Sequence, residues 1–334
     1  MSRKRARRRL RSAFEAIGIV TSVEADGIGG DAGREPTRYP ASVRGVLPGT
    51  ISIAIIVLAS VIVIPVVFRF VDPATATGTL AGVVANWTIF AVATAVALLL
   101  ALRVDRGSLA RFGLDVDRRW LRNFGVGIAI SLGAVGATFG YGAARGFFEL
   151  TPGQATDVGG ATPWLVVLVI GGMLGFFLLQ NLYEELVFRS IMLQNFAEGL
   201  SERGLSPVWA VGGAAIVSLL FFGAFHVPLR GVVVGVHSIF VGIVFVLAYL
   251  VTGRLGLAIG VHFGRFPFEL LVGGQFGPVT LPSVVDMGEP TLGATVEVTA
   301  VQLGASCLLI LLWAHRQGDL GIADRVYTPS TTRS

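Results

Sequence analysis

The chain has 334 residues, of which 53% are hydrophobic and only 14% charged, and its mean hydropathy is +0.74. A soluble domain of this length needs roughly a quarter of its residues charged, so an ordinary aqueous globule is excluded. The net charge of +5 arises from 26 Lys and Arg against 21 Asp and Glu, and its uneven placement along the chain carries information.

Residues 1–44 open with Arg3, Lys4, Arg5, Arg7, Arg8, Arg9 and Arg11, followed by a polar stretch rich in Gly, Asp and Glu. This tail is expected to be disordered. The apolar residues of 14–20 are too few, and too broken by Glu15, for a cleaved secretory leader. The arginine run reads as a topology signal that meets anionic lipid heads, and no nucleic-acid partner is expected.

A membrane span needs about 20 mostly apolar residues. Charge-free runs occur at 45–68, 73–102, 123–144 and 158–183. Runs at 204–229 and 231–253 carry one histidine each, 255–274 is interrupted by Arg265 and Glu269, and 298–314 closes the series. The fold class expected is therefore all-α, a polytopic bundle of about eight transmembrane helices. One membrane domain would cover 45–316, with a short tail at 317–334.

With the N-terminus inside, 22 basic residues fall on inside segments, three (Arg69, Arg145 and Arg230) fall outside, and Arg265 lies within a span. The positive-inside rule then places both termini in the cytoplasm of an integral cell-membrane protein. Between the second and third runs, Leu109, Phe112, Leu114 and Trp120 alternate with Arg111, Arg118, Arg119 and Arg122, as in an amphipathic segment lying at the interface. The third run has small residues at Gly125, Ala129, Gly133 and Ala137, with Gly136 and Gly140 on a neighbouring face; packing inside one bundle is the expectation, ahead of homodimerisation. Cys307 is the only cysteine, which excludes an intrachain disulfide or a thiolate metal cluster.

Charge within the membrane costs roughly 2.5 to 3.5 kcal/mol per group even on lenient scales, so each such group needs a partner or a function. The fourth run ends in Glu184, Glu185 and Arg189. Glu185 and Arg189 are spaced for an ion pair, while Glu184 projects about 100 degrees away. Facing a water-filled cavity, Glu184 could accept a proton from water; the alternative is that both acids merely neutralise Arg189 at the helix end. The fifth run places Phe222 and His226 on one face. The seventh carries His262, with Arg265 and Glu269 again at ion-pair spacing. His237, in the sixth run, reads as packing or pore lining, and His315 suits the end of the last helix.

These three segments, in this order, resemble the CPBP family of intramembrane proteases, which includes the type II CAAX prenyl endopeptidases and bacteriocin-processing proteins. The resemblance covers roughly residues 158–277. It implies that Glu184 activates the attacking water, that His226 works with it, that Glu185, Arg189 and Phe222 support the site, and that His262 stabilises the oxyanion. The family has Asn four residues after that histidine, where this sequence has Phe266, which cannot donate a hydrogen bond; Arg265 is the neighbouring substitute. Glu184, His226 and His262 offer ligands that Zn²⁺ or another divalent ion accepts, yet no HExxH pair is present, so no tightly bound metal is expected.

The function expected is glutamate-dependent endopeptidase action on membrane-associated peptides or proteins, in a cavity opening toward the cytoplasm. A catalytically inactive scaffold of the same family and a proton-coupled transporter are the rival readings. The absence of an internal repeat weighs against the transporter. Substrate, prenylation and oligomeric state stay open.

Overall fold

The computed structural model describes residues 39–147, 149–150, 162–266, 275–276, 279–280, 285–286, 291–318 and 320–327. Helix α1 spans Ala41–Val67, α2 Ala76–Asp105 and α3 Arg118–Ala144. Helix α4 (Pro163–Glu184) continues through a π-helical segment (Glu185–Met192) into α5 (Leu193–Glu202). Then come α6 (Pro207–Arg230), α7 (Val232–Thr252), α8 (Leu255–Phe263) and α9 (Leu292–Gln317). Two antiparallel pairings, Glu149–Leu150 with Val285–Asp286 and Gln275–Phe276 with Val279–Thr280, involve two residues each.

Local chemistry sets the helix ends. Thr75, Asp117 and Thr291 accept hydrogen bonds from the backbone N–H of Gly78, Trp120 and Ala294, which satisfies donors that the first helical turn leaves open. Pro163 and Pro207 start α4 and α6, where a missing N–H costs nothing. Gly253 and Gly318 stop α7 and α9 in the left-handed conformation, at φ 61° and 75°.

Seven helical stretches among the described residues are long and apolar enough to cross a bilayer, with α4 through α5 counted as one of 40 residues. The protein is an all-α polytopic membrane bundle. Its outer surface agrees with that reading, because Val61 is 68% and Val233 82% exposed, side chains that lipid would cover. Of the expected seventh run, 255–274, α8 is present, and residues 267–274 lie outside the described residues. So does Glu269, expected to pair with Arg265, and so do residues 1–38 of the expected tail and 328–334 at the other end.

Helix α8 is buried from Leu255 to Val261 and lies directly on α3. A Cβ built on Gly260 would stand 2.1 Å from the Phe124 carbonyl oxygen, and one on Gly127 would stand 2.6 Å from that of Leu257. Only glycine lets the two backbones meet so closely. The expected small-residue row does not make this contact: Gly125, Ala129, Gly133 and Ala137 are all exposed. The contact face of α3 is decided by where α8 docks, and Gly127 belongs to neither row read from the sequence.

At one end of the bundle, where α1 begins and α9 finishes, charged residues interlock. Arg44 is 1% exposed and donates to Asp105 (2.6 Å), Asn195 (2.7 Å) and Glu198 (2.9 Å). It belongs to α1 and not to the tail ending at residue 44, because the helix already starts at Ala41. At the same end residues 106–117 connect α2 to α3 through turns, and Phe112 of the expected interfacial segment is fully buried. Arg325 pairs with Asp115 at 2.8 Å, and the Ala323 N–H donates to the Leu250 carbonyl at 2.8 Å. The segment 320–327, within the short tail expected at 317–334, therefore packs against the bundle.

Candidate active site

The 40-residue helix built from α4, the π-segment and α5 carries the first acids. At 1.5 Å per residue it is about 60 Å long, twice the hydrocarbon thickness. Glu184 sits inside it and not near a cytoplasmic end as expected, because the helix runs on to Glu202. Its depth follows from Tyr183, whose ring packs edge-on against Phe90 at 5.7 Å, halfway along α2. A π-helical stretch is an irregularity often found at functional sites. Here it begins at the second acid and is buried throughout, from Glu185 to Met192.

The acids do not divide their partners as the sequence suggests. Glu185 pairs with Arg189 (Nε to Oε2, 3.3 Å), as expected, but its other oxygen lies 2.9 Å from Nδ1 of His262. Nε2 of that ring stands 3.8 Å from Oε2 of Glu184. The imidazole thus lies between two carboxylates that project differently from their helix, since its two nitrogens point apart. Glu184 is 1% exposed and also accepts a hydrogen bond from the Gln180 amide at 2.8 Å. Nδ1 of His226 bonds the Phe222 carbonyl one turn earlier, at 2.8 Å. A ring whose Nδ1–H donates to a fixed acceptor keeps Nε2 free for chemistry.

Aromatic rings hold the charged groups. The fully buried Arg189 guanidinium lies 4.0 Å from the Phe222 ring centre and 5.3 Å from that of Phe245. Phe245 also stacks on His262 at 4.0 Å. Such cation–π contacts contribute about 2 kcal/mol when desolvated. They matter because the Arg189 nitrogens have no hydrogen-bond partner among the described residues. Gly242 leaves the room, since a Cβ there would stand 3.1 Å from Nη2 of Arg189.

Glu184, His226 and His262 line one cavity of about 110 Å³, together with Gln180, Asn181, His237, Ser238, Arg265 and Phe266. That is room for several waters. Phe266 is 3% exposed and packs on Phe177 with ring centres 4.3 Å apart, so it contributes an apolar wall. Arg265 and Phe266 both reach the cavity, because the regular helix stops at Phe263 and the fixed turn per residue no longer applies beyond it.

The cavity extends toward the α6–α7 connection, where Arg230 is exposed. In the other direction it is closed: Phe188, Arg189, Ser190 and Tyr249 are fully buried, and the Ser190 hydroxyl donates to the Phe112 carbonyl at 3.0 Å. The opening therefore faces away from the end where α1 begins and α9 finishes. A cytoplasmic opening and cytoplasmic termini, both expected from the sequence, exclude one another in this arrangement. The sequence placed the opening inside by taking the helix to end near Glu184, whereas the helix runs on to Glu202.

Gln180, Asn181, Ser238 and Phe245 are not singled out by the sequence. Gln180 is legible in retrospect as an amide four residues before an acid on one helical face; the others are neutral residues that only tertiary contact marks. Among the described residues no three His, Cys, Asp or Glu side chains gather closely enough to hold a metal ion. The donor set does not fit one in this arrangement, and the chemistry is derived from side chains alone.

Residues 162–265 match the family model of the type II CAAX prenyl endopeptidase Rce1-like proteins, just under a third of the chain. This match supports membership of the CPBP family. It contains Glu184, His226 and His262 and ends one residue before Phe266. Searches of curated proteins and of solved structures found no match.

Proposed function

From a core segment of Rce1-like type, we propose that the protein is an intramembrane endopeptidase whose water is activated by Glu184, with His262 and His226 assisting. The observation that carries this reading is the His262 imidazole placed between Glu185 and Glu184 at the bottom of a cavity with room for several waters.

With Glu185 ionised, His262 donates its Nδ1–H to that carboxylate and presents Nε2 as an acceptor toward the cavity. A water held between Nε2 and Glu184 loses its proton to the Glu184 carboxylate as its oxygen attacks the substrate carbonyl carbon. The Glu184 acid then gives this proton to the leaving amine as the C–N bond breaks. His226, with Nδ1 tied to Phe222, offers its free Nε2 to orient the water or the amine. Arg189 pairs with Glu185, and Glu185 in turn fixes the ring. Placed this way, a neutral His262 acts as an acceptor and leaves the oxyanion to another donor, a departure from the role that the resemblance implies.

The test is cleavage by full-length protein reconstituted in liposomes, offered a fluorogenic farnesylated CAAX peptide, its unprenylated counterpart and membrane-anchored reporter peptides. Wild type should cleave at least one of them, and Glu184→Gln none. Peptide binding without cleavage would support the scaffold, and solute uptake driven by a pH gradient the transporter.

A further inference from the structure

Peptide hydrolysis passes through a tetrahedral oxyanion, and donors aimed at it are the largest single contribution in many such sites. Several polar hydrogens in this cavity are already committed. Nδ1 of His262 is used on Glu185, Nδ1 of His226 on the Phe222 carbonyl, and the Gln180 amide on Glu184. Arg265 has a partner of its own. Phe266 supplies none.

Two buried cavity side chains make no hydrogen bond to another described residue: Asn181, 4% exposed, and Ser238, 8% exposed. In the free protein the Asn181 amide can bond the waters of the cavity, and a substrate that displaces them must replace that bond or leave the amide unsatisfied at about 1 to 3 kcal/mol. Asn181 is three residues before Glu184, on adjoining turns of one helix. Its NH₂ has a fixed direction, whereas a helical serine can turn its hydroxyl back to its own backbone.

We propose that Asn181 is a catalytic residue of this hydrolysis, its side-chain amide donating to the scissile carbonyl oxygen and more strongly to the oxyanion formed from it. This rests on the peptidase reading. As the water oxygen bonds to carbon, the carbonyl π electrons move onto the oxygen that Asn181 holds and the water proton moves to Glu184. When the C–N bond breaks, that charge returns to re-form the carbonyl.

The test uses the reconstituted full-length protein with whichever of the named peptides wild type cleaves, and a phosphinic analogue of that peptide as tetrahedral mimic. Asn181→Leu and Asn181→Asp, each retaining size and lacking the donor, should lower kcat about 100- to 1,000-fold. KM should stay within threefold, and affinity for the phosphinic peptide should fall with kcat. In wild type labelled with ¹⁵N-amide asparagine, the Asn181 side-chain resonance should shift when the mimic binds, a readout that does not depend on any variant folding. Wild-type cleavage with no Asn181 shift, or a folded Asn181→Leu with kcat within threefold of wild type, overturns the proposal alone. A kcat loss confined to Ser238→Ala would do the same, assigning the donor to the opposite wall. Wild type that cleaves none of the peptides overturns the peptidase reading and the proposal with it.

Discussion

Glu184 and Glu185 are adjacent in sequence and touch the same imidazole, yet only one of them neutralises a buried cation. Replacing Glu185 by Gln leaves Arg189 without its counter-charge in a fully buried position, which should cost about 3 to 5 kcal/mol. Glu184→Gln preserves its hydrogen bond with Gln180 in a reversed sense and exposes no cation. We therefore expect Glu185→Gln to lower the thermal unfolding temperature of purified protein by many degrees. Glu184→Gln should keep the wild-type temperature and lose all peptidase activity. Equal destabilisation by both would mean that the pair acts only as a counter-ion for Arg189.

The position of His262 is a property of two helices in backbone contact. A methyl group at Gly260 meets the Phe124 carbonyl, which no rotamer change can relieve, whereas one at Gly136 meets nothing within 4 Å. Gly260→Ala should therefore push α8 off α3, destabilise by about 1 to 3 kcal/mol and lower activity by misplacing His262 against the acids. Gly136→Ala should be neutral or stabilise slightly, since alanine favours a helix by up to about 1 kcal/mol over glycine. Thermal melts of the two single variants compare them directly. The α7–α8 connection is held in another way: Arg254 donates to both oxygens of Asp117, at 2.7 and 2.8 Å, and the Trp120 N–H to one of them. These bonds hold the Asp117 carboxyl at about 2, below its ordinary 3.8. Because the folded value is depressed, the contribution is present above about pH 4 and is lost as pH falls toward 2. Arg254→Met should destabilise at pH 6 and make little difference near pH 2, as read from melts at the two pH values.

For the whole molecule, the position of the opening sets which side of the membrane the cavity faces. The count of basic residues favours a cytoplasmic location for the end where α1 begins, and the cavity opens at the other end, beside Arg230. A cysteine introduced at Arg230 in a Cys307→Ser background should then react with a membrane-impermeant maleimide added outside intact cells. A reporter fused after residue 327 should read cytoplasmic. Labelling at 230 only after lysis would invert the protein and restore a cytoplasmic opening.

The helical bundle, its helix count to within one, and the ionisable residues that fall inside its apolar runs are legible in the sequence. Those follow from apolar run length and from the cost of charge in lipid, both local properties of the chain. Arg189 with Glu185, and Phe222 with His226, were legible for the same reason, being one turn apart on single helices. That α4 continues past Glu184, that His262 reaches both acids, that Asn181 and Ser238 line the cavity and that the opening faces away from the end where α1 begins and α9 finishes all emerge only in the folded chain. No local signal fixes these. A helix end inside protein is set by what buries the next turn, and a neutral polar side chain acquires its meaning from the wall it happens to face.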